Sequence, residues 1–282
     1  MNSAADPLAE FLTVCERAAR AGGEKLVEMR HHALVQEKSR RDLVTDADVA
    51  SQRIIREIVQ GAFPDHEFIG EEDELAPQCG TSWGPQDRAN AGYRWIVDPL
   101  DGTANFVHGM ANFAVSVALQ RGTDVLVGVV FDPVANECFS AAQGRGAFVN
   151  GTPIRTSQCV ALDQAMVASG FSAHVERNSP EITRFIDVLL TSQSVRRLGS
   201  AALNLSYVAA GRMDAYWATS VKAWDVAAGA LILREAGGLI SRLDGSPFRL
   251  DEPELVAAAT SELLGELISV FGKFKGDRSC PL

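Results

Sequence analysis

Trp95-Ile96-Val97-Asp98-Pro99-Leu100-Asp101-Gly102-Thr103 carries the chain from an apolar run into a turn that bears two carboxylates. The apolar residues suit a strand covered on both faces, and Pro99 and Gly102 force the backbone out of the sheet. Asp98 and Asp101 are therefore expected at the carboxyl edge of a sheet. Two ionised carboxylates a few ångströms apart repel each other unless a cation or a shared proton neutralises them. Mg2+ is the natural cation, because it takes oxygen ligands, is held by a few carboxylates plus substrate phosphate, and needs no His or Cys.

Taken singly, Asp-Pro and Asp-Gly are ordinary turn formers. Their fusion behind an apolar strand asks for further acids, and two stretches supply them. Phe68-Ile69-Gly70-Glu71-Glu72 is a second apolar strand end followed by paired carboxylates, continuing through Asp73 and Glu74. Alone, such a run reads as a solvated loop. In Lys222-Ala223-Trp224-Asp225-Val226-Ala227-Ala228-Gly229 an acid opens a helical pattern that runs to Ala236 and stops at Gly237-Gly238. Alone, Asp225 reads as a helix N-cap.

Together these segments resemble the inositol monophosphatase family, Mg2+-dependent and lithium-sensitive phosphatases of small phosphorylated metabolites. The resemblance rests on G-E-E at residues 70–72, D-P-L-D-G-T at 98–103, W-D-V-A-A-G at 224–229 and E-A-G-G at 235–238. It extends to D-L-V-T-D-A-D at 42–48, G-R-G-A-F at 144–148 with Asn150-Gly151, and G-S-A-A at 199–202, all in the family's order. It implies an α+β fold, the layered α-β-α-β-α sandwich of the inositol monophosphatase and fructose-1,6-bisphosphatase type, usually assembled as a homodimer.

The rest of the chain agrees. A composition of 46% hydrophobic and 22% charged residues over 282 positions is that of an ordinary globular chain able to bury a large core. The net charge of −10 opposes nucleic-acid or anionic-membrane binding. Cys15, Cys79, Cys138, Cys159 and Cys280 are scattered, without a CxxC pair, so neither a zinc site nor a disulfide framework is expected. With no secretion-signal pattern and no membrane-length apolar run, a cytoplasmic location is expected.

Leu8, Phe11, Leu12, Cys15, Ala18 and Ala19 recur at helical spacing behind Pro7. A second helix follows Thr45, with Ile54, Ile55, Ile58 and Val59 as its stripe and Thr45 and Asp48 as a capping-box variant. Residues 115–119, 125–131 and 138–142 read as an antiparallel meander, and Asn150-Gly151 as a hairpin turn. That turn divides an expected N-terminal subdomain, 1–149, from a C-terminal one, 150–282. Beyond it, 182–190, 201–210 and 226–236 read as helices, with 164–168, 215–217 and 239–241 as strands.

The resemblance assigns Glu71, Asp98, Asp101 and Asp225, with the backbone carbonyl of Leu100, as ligands of two or three Mg2+ ions, Mn2+ being an alternative. Glu72 stands behind them. Hydrolysis of a phosphate monoester needs charge neutralisation and a positioned water, and two ions about 3.5 to 4 Å apart supply both. The N–H groups of Gly102 and Thr103 cradle the phosphate if a helix starts there. The Thr103 hydroxyl orients the attacking water, and Asp48 either accepts the proton or merely caps its helix. Lys38 resembles a lysine near the metals, one residue out of register. Gly199, Ser200 and Ala201 form substrate-side backbone, joined by Phe171 and Ser172.

One position departs from the family. Where inositol-hydrolysing members place a glutamate seven residues before the last acid, this chain has Ala218, which cannot accept a hydroxyl hydrogen bond. Lys222 instead offers a cation to a second anionic group of a substrate. The expected partner is therefore a small phosphorylated metabolite. Inositol monophosphate, histidinol phosphate, fructose 1,6-bisphosphate and 3′-phosphoadenosine 5′-phosphate all remain open as substrates, as does a non-catalytic metabolite-binding role on the same fold. A haloacid-dehalogenase-type phosphatase would need its two aspartates two residues apart rather than three, and no G-x-x-x-x-G-K-[ST] loop supports nucleotide-driven transfer.

Overall fold

The computed structural model describes residues 6–39, 42–75, 92–172, 174–252 and 254–272. Its helices are α1 (Pro7–Met29), α2 (Asp46–Ala62), α3 (Thr103–Val107), α4 (Pro180–Thr191), α5 (Ala201–Ala209), α6 (Ala223–Glu235) and α7 (Ser261–Gly272). A seven-stranded sheet runs in chain order: β3 (Glu67–Gly70), β4 (Tyr93–Asp101), β5 (Ala114–Arg121), β6 (Asp124–Asp132), β7 (Glu137–Ala142), β8 (Ala147–Val149) and β9 (Thr152–Ile154). Only β3 and β4 pair in parallel within it. A five-stranded sheet is built from β10 (Met166–Gly170), β11 (Ser194–Arg196), β12 (Ala215–Thr219), β13 (Leu239–Ser241) and β14 (Glu254–Ala258), in the order β11-β10-β12-β14-β13. A small hairpin of β1 (Val35–Ser39) and β2 (Asp42–Thr45) precedes α2.

The layers follow from which side chains each strand sends to each face. On β4, Trp95 and Val97 enter the core beneath α1 and α2, whereas Ile96 between them enters the core under α5 and α6. On β12, Tyr216 joins that central core and Trp217 joins the outer core with Leu263, Leu267 and Phe271 of α7. Period-two alternation on strands covered twice thus produces the expected order: α1/α2, seven-stranded sheet, α5/α6, five-stranded sheet, α4/α7. The small residues of the Ala-Ala-Gly run let α6 lie close to its neighbours. A Cβ on Gly128 would stand 2.9 Å from Ala228 Cα, and one on Gly229 would stand 2.8 Å from Leu205 Cβ.

Several boundaries differ from the sequence reading. The Asn150-Gly151 turn joins two strands of one sheet, so the seven-stranded sheet continues to Ile154 rather than ending at Val149. The strand expected at 164–168 is shifted to 166–170, because a 3-10 turn over Leu162–Gln164 takes up its start. Helix α6 begins at Ala223, which moves Asp225 from the cap into the first turn. The last 30 residues, unread beyond the region of Leu255, contribute β14 and α7.

Cys15, Cys138 and Cys159 are free thiols, while Cys79 and Cys280 lie outside the described residues. Among the described residues no helix is long and apolar enough to cross a membrane.

Candidate active site

Three elements end at one place. Strand β4 delivers Asp98, Leu100 and Asp101, strand β3 ends at Gly70 and hands over to a 3-10 turn starting at Glu71, and α6 opens with Asp225 in its first turn. The β4–β5 register slips between Asp98 and Asp101, the bulge that Pro99 imposes by lacking a ladder N–H. Asp98 and Asp101 are buried, at 2% and 8% exposure. Glu71, by contrast, is half-buried.

Asp98, Asp101 and the half-buried Asp225 are each held on an internal donor. Asp98 accepts the Leu100 N–H at 2.9 Å. Asp101 Oδ2 accepts from Ser200 Oγ at 2.5 Å and from the Ala202 N–H at 2.7 Å. Asp225 accepts the Lys222 N–H at 2.7 Å and shares a hydrogen bond with Asp98. A lysine side chain has no acceptor, so only the Asp225 half of a capping box operates here.

The electrostatics of this cluster are unfavourable as it stands. Burial pushes the Asp98 carboxyl well above the usual range, and repulsion from Glu71, Asp101 and Asp225 adds to it. Asp225 is pushed up by burial and then by Asp101. Burial raises Asp101 to about 6 against the opposing donors Ser200, Ala202 and Ala201. The buried Tyr216 phenol is also raised, by burial first and then by Asp101 and Asp225, so it lies close behind the same acids. Among the described residues no three His, Cys, Asp or Glu groups stand at the spacing of a closed ligand shell. Asp98 and Asp225 touch through their shared hydrogen bond, while Asp101 is held on Ser200 and Ala202. The donor set is nonetheless all oxygen, acidic and largely buried, which is the chemistry a hard divalent cation takes.

Around the acids lies a polar frame. The Asp48 carboxylate accepts from the Thr45 N–H at 2.8 Å, from Thr45 Oγ1 at 2.6 Å and from Thr103 Oγ1 at 3.4 Å. It therefore caps α2 and touches Thr103 at once. Thr103 Oγ1 also lies 3.1 Å from the Leu100 carbonyl, so its one hydrogen is shared between that oxygen and Asp48. Gly102 begins α3 at φ +99°, without a side-chain cap, which leaves the first-turn N–H groups to an external acceptor. Ser51 Oγ of α2 donates to the Pro99 carbonyl at 3.0 Å, tying that helix to the turn.

The other residues singled out in the sequence divide. Ser200 caps α5, accepting the Leu203 N–H at 3.1 Å, and it grips Asp101, while Ala201 starts that helix. Gly199 has φ +89°. Glu72 is buried, and its N–H donates to Gln52 Oε1 at 3.0 Å. Asp73 accepts from Gln52, Arg56 and the Gly70 N–H, so the third acid of the run organises the turn. The side chains of Glu74 and Lys38 lie outside what is described.

Lys222 is exposed, with Nζ 6.0 Å from the Trp224 ring. Ala218 is wholly buried at the end of β12, level with Gly170. The Phe171 ring packs on Trp217 in the outer core, away from the acids, whereas Ser172 Oγ accepts the His174 N–H at 3.0 Å.

Sequence reasoning missed Gln52, Ser51 and Asn105. The first two had a signal: both are polar, yet they stand three and four residues before Ile55 on the apolar stripe of α2. Asn105 Nδ2 donates to the carbonyls of Asn112 at 2.6 Å and Leu198 at 2.7 Å, the second a contact made across the fold that no local pattern announces.

Comparison with known proteins bears on the family and the fold. The sequence model described as the inositol monophosphatase family matches residues 7–274. The chain is 38% identical over 256 residues to the Nus factor SuhB of Pseudomonas aeruginosa, covering 89% of this chain and 92% of that protein. It is 40% identical over 218 residues to the inositol-1-monophosphatase of Mesorhizobium japonicum, covering 77% and 78% respectively. Among solved structures it is similar to the extragenic suppressor protein suhB of Bartonella henselae, with a TM-score of 0.84, 32% identity, and coverage of 94% of this chain and 99% of that one. The inositol monophosphatase of Anabaena gives a TM-score of 0.82 at 32% identity, covering 95% and 97%.

Proposed function

This chain belongs to the inositol monophosphatase family, and on that premise we propose that it is a Mg2+-dependent phosphatase hydrolysing a small phosphate monoester. The observation that supports this reading is the repulsion that Asp98 and Asp225 feel from Glu71 and Asp101, beside the uncapped start of α3.

The bound metal, as two or three Mg2+ ions or Mn2+, supplies charge neutralisation and an acidified water. Glu71, Asp98, Asp101, Asp225 and the Leu100 carbonyl are the residues to hold it. The N–H groups of Gly102 and Thr103 bind phosphate oxygens, the Thr103 hydroxyl orients the attacking water, and Asp48, already in contact with that hydroxyl, takes up its proton. Gly199, Ser200 and Ala201 line the substrate side, with Lys222 available to a second anionic group.

Inositol monophosphate is the first substrate to try. Histidinol phosphate, fructose 1,6-bisphosphate and 3′-phosphoadenosine 5′-phosphate stand beside it, since Ala218 offers no acceptor for ring hydroxyls. A cytoplasmic homodimer inhibited by Li+ completes the reading, with subdomains divided near the 150–151 turn. Ile186, Leu189 and Leu190 of α4 give an exposed apolar face for such a dimer.

A second reading, a binding role without catalysis, is favoured by relatives named as Nus factors. Phosphate release from the four esters, with Mg2+ and with EDTA, separates the two. The phosphatase reading expects Mg2+-dependent release that Li+ inhibits and that Glu71→Gln and Asp98→Asn abolish. A wild type that neither releases phosphate nor binds Mg2+ supports the binding protein.

A further inference from the structure

We infer that Asn105 is a positioning residue, the staple that holds the phosphate-side turn of α3 against the segment carrying Ser200. The inference rests on the phosphatase reading of the same site. Segments 101–105 and 198–202 are cross-linked at both ends. At one end Asp101 accepts from Ser200 Oγ and the Ala202 N–H, and at the other Asn105 Nδ2 donates to the Leu198 carbonyl. Gly102 and Thr103 lie inside the ring so formed, on one side, and Gly199 lies inside it on the other.

The contact is close. A Cβ on Gly199 would stand 2.8 Å from Asn105 Nδ2 and 3.1 Å from its Oδ1, and the backbone there already has φ +89°. The Asn105 side chain also fixes the chain that leads into β5, because its second N–H reaches the Asn112 carbonyl, a turn already closed by the backbone bond from the Met110 N–H to the Asn105 carbonyl at 2.8 Å.

Both partners of the amide are carbonyl oxygens, so the position requires two donors on one short side chain. Asparagine meets that demand and an apolar side chain of similar size does not. Without the staple, the start of α3 and the Ser200 segment stay joined only through Asp101 and can pivot about that link. Asp101 then loses its fixed orientation, and the Thr103 N–H and hydroxyl lose their aim. A displacement of about 1 Å at such a site costs on the order of 100-fold in rate.

The test is a double-mutant cycle with Asn105→Ala, Ser200→Ala and the pair, reading kcat, KM, the Mg2+ concentration for half-activity, and the Mg2+-induced rise in melting temperature. We expect Asn105→Ala to lower kcat by roughly 10- to 100-fold, to raise the Mg2+ requirement, and to shrink the Mg2+-induced rise in melting temperature. The double variant should fall no more than about threefold below the weaker single, because both changes release one ring.

Multiplicative losses in the double variant would overturn the inference. So would wild-type kcat and Mg2+ requirement in Asn105→Ala, or a loss of activity equal to its unfolded fraction alone. A wild type inactive on every ester removes the phosphatase reading. The Mg2+-induced melting shift then still decides the positioning role, and equal shifts in wild type and Asn105→Ala overturn it.

Discussion

Replacing Asp101 by asparagine should make the metal-free protein more stable while removing its response to Mg2+. In the folded chain burial holds the Asp101 carboxyl at about 6, against about 3.9 in an unfolded one. A gap of about 2 units corresponds to about 3 kcal/mol that the ionised group costs the metal-free fold at neutral pH. The sign follows from linkage. Between those two values the folded state binds the extra proton, so the contribution of this group is fully present below about pH 4 and is lost as pH rises through about 6. Burial and repulsion push Asp98 and Asp225 the same way.

Metal-free wild type is therefore expected to melt at a higher temperature at pH 5 than at pH 7.5. The amide of Asp101→Asn keeps an oxygen for Ser200 and Ala202 and carries no charge. At about 2 °C per kcal/mol for a chain of this size, its melting temperature in EDTA at pH 7.5 should rise by up to about 5 °C. Saturating Mg2+ should raise wild type and leave the variant nearly unmoved. Calorimetry in EDTA and in Mg2+ at both pH values measures all of this. A variant that melts below wild type in EDTA at pH 7.5, or that gains as much from Mg2+, would show that the Asp101 charge does not strain the metal-free fold.

Thr45→Ala and Asp48→Asn separate the two roles of Asp48. The first should cost about 1 to 2 kcal/mol of stability with kcat changed only a few-fold, and the second should lower kcat by roughly 100-fold or more, both read by melting and by phosphate release. Equal kinetic losses would reduce Asp48 to a cap. Gly70→Ala drives a Cβ to within 2.1 Å of Gln52 Oε1, the atom that accepts the Glu72 N–H. It should lower stability by about 1 to 3 kcal/mol and raise the Mg2+ requirement through the displaced Glu71, and an unchanged Mg2+ titration would show that Gly70 does not position that acid.

What was legible in the sequence was local. Trp95-Ile96-Val97 followed by Pro99 announces a doubly covered strand and its exit, and the Thr45–Asp48 pair announces the start of α2, because both depend on neighbours along the chain. The five-layer order was legible through the family resemblance, and alternation on β4 and β12 explains it physically. Asn150-Gly151 announces a hairpin, which pairs β8 with β9, but a turn sequence does not say whether its strands end one sheet or join two. Asp225 read as a cap because caps and third helical positions share the same residue types, and only the hydrogen bond from the Lys222 N–H separates them. Gln52, Ser51 and Asn105 serve backbone groups far away in sequence, so their roles exist only once the layers have closed.

The most direct test is a crystal structure with Mn2+ and inorganic phosphate, the ions located by anomalous scattering. Manganese is expected on Glu71, Asp98, Asp101, Asp225 and the Leu100 carbonyl, with phosphate on the Gly102 and Thr103 N–H groups. Manganese bound elsewhere, with Asp98, Asp101 and Asp225 still on their internal donors, would rule this site out.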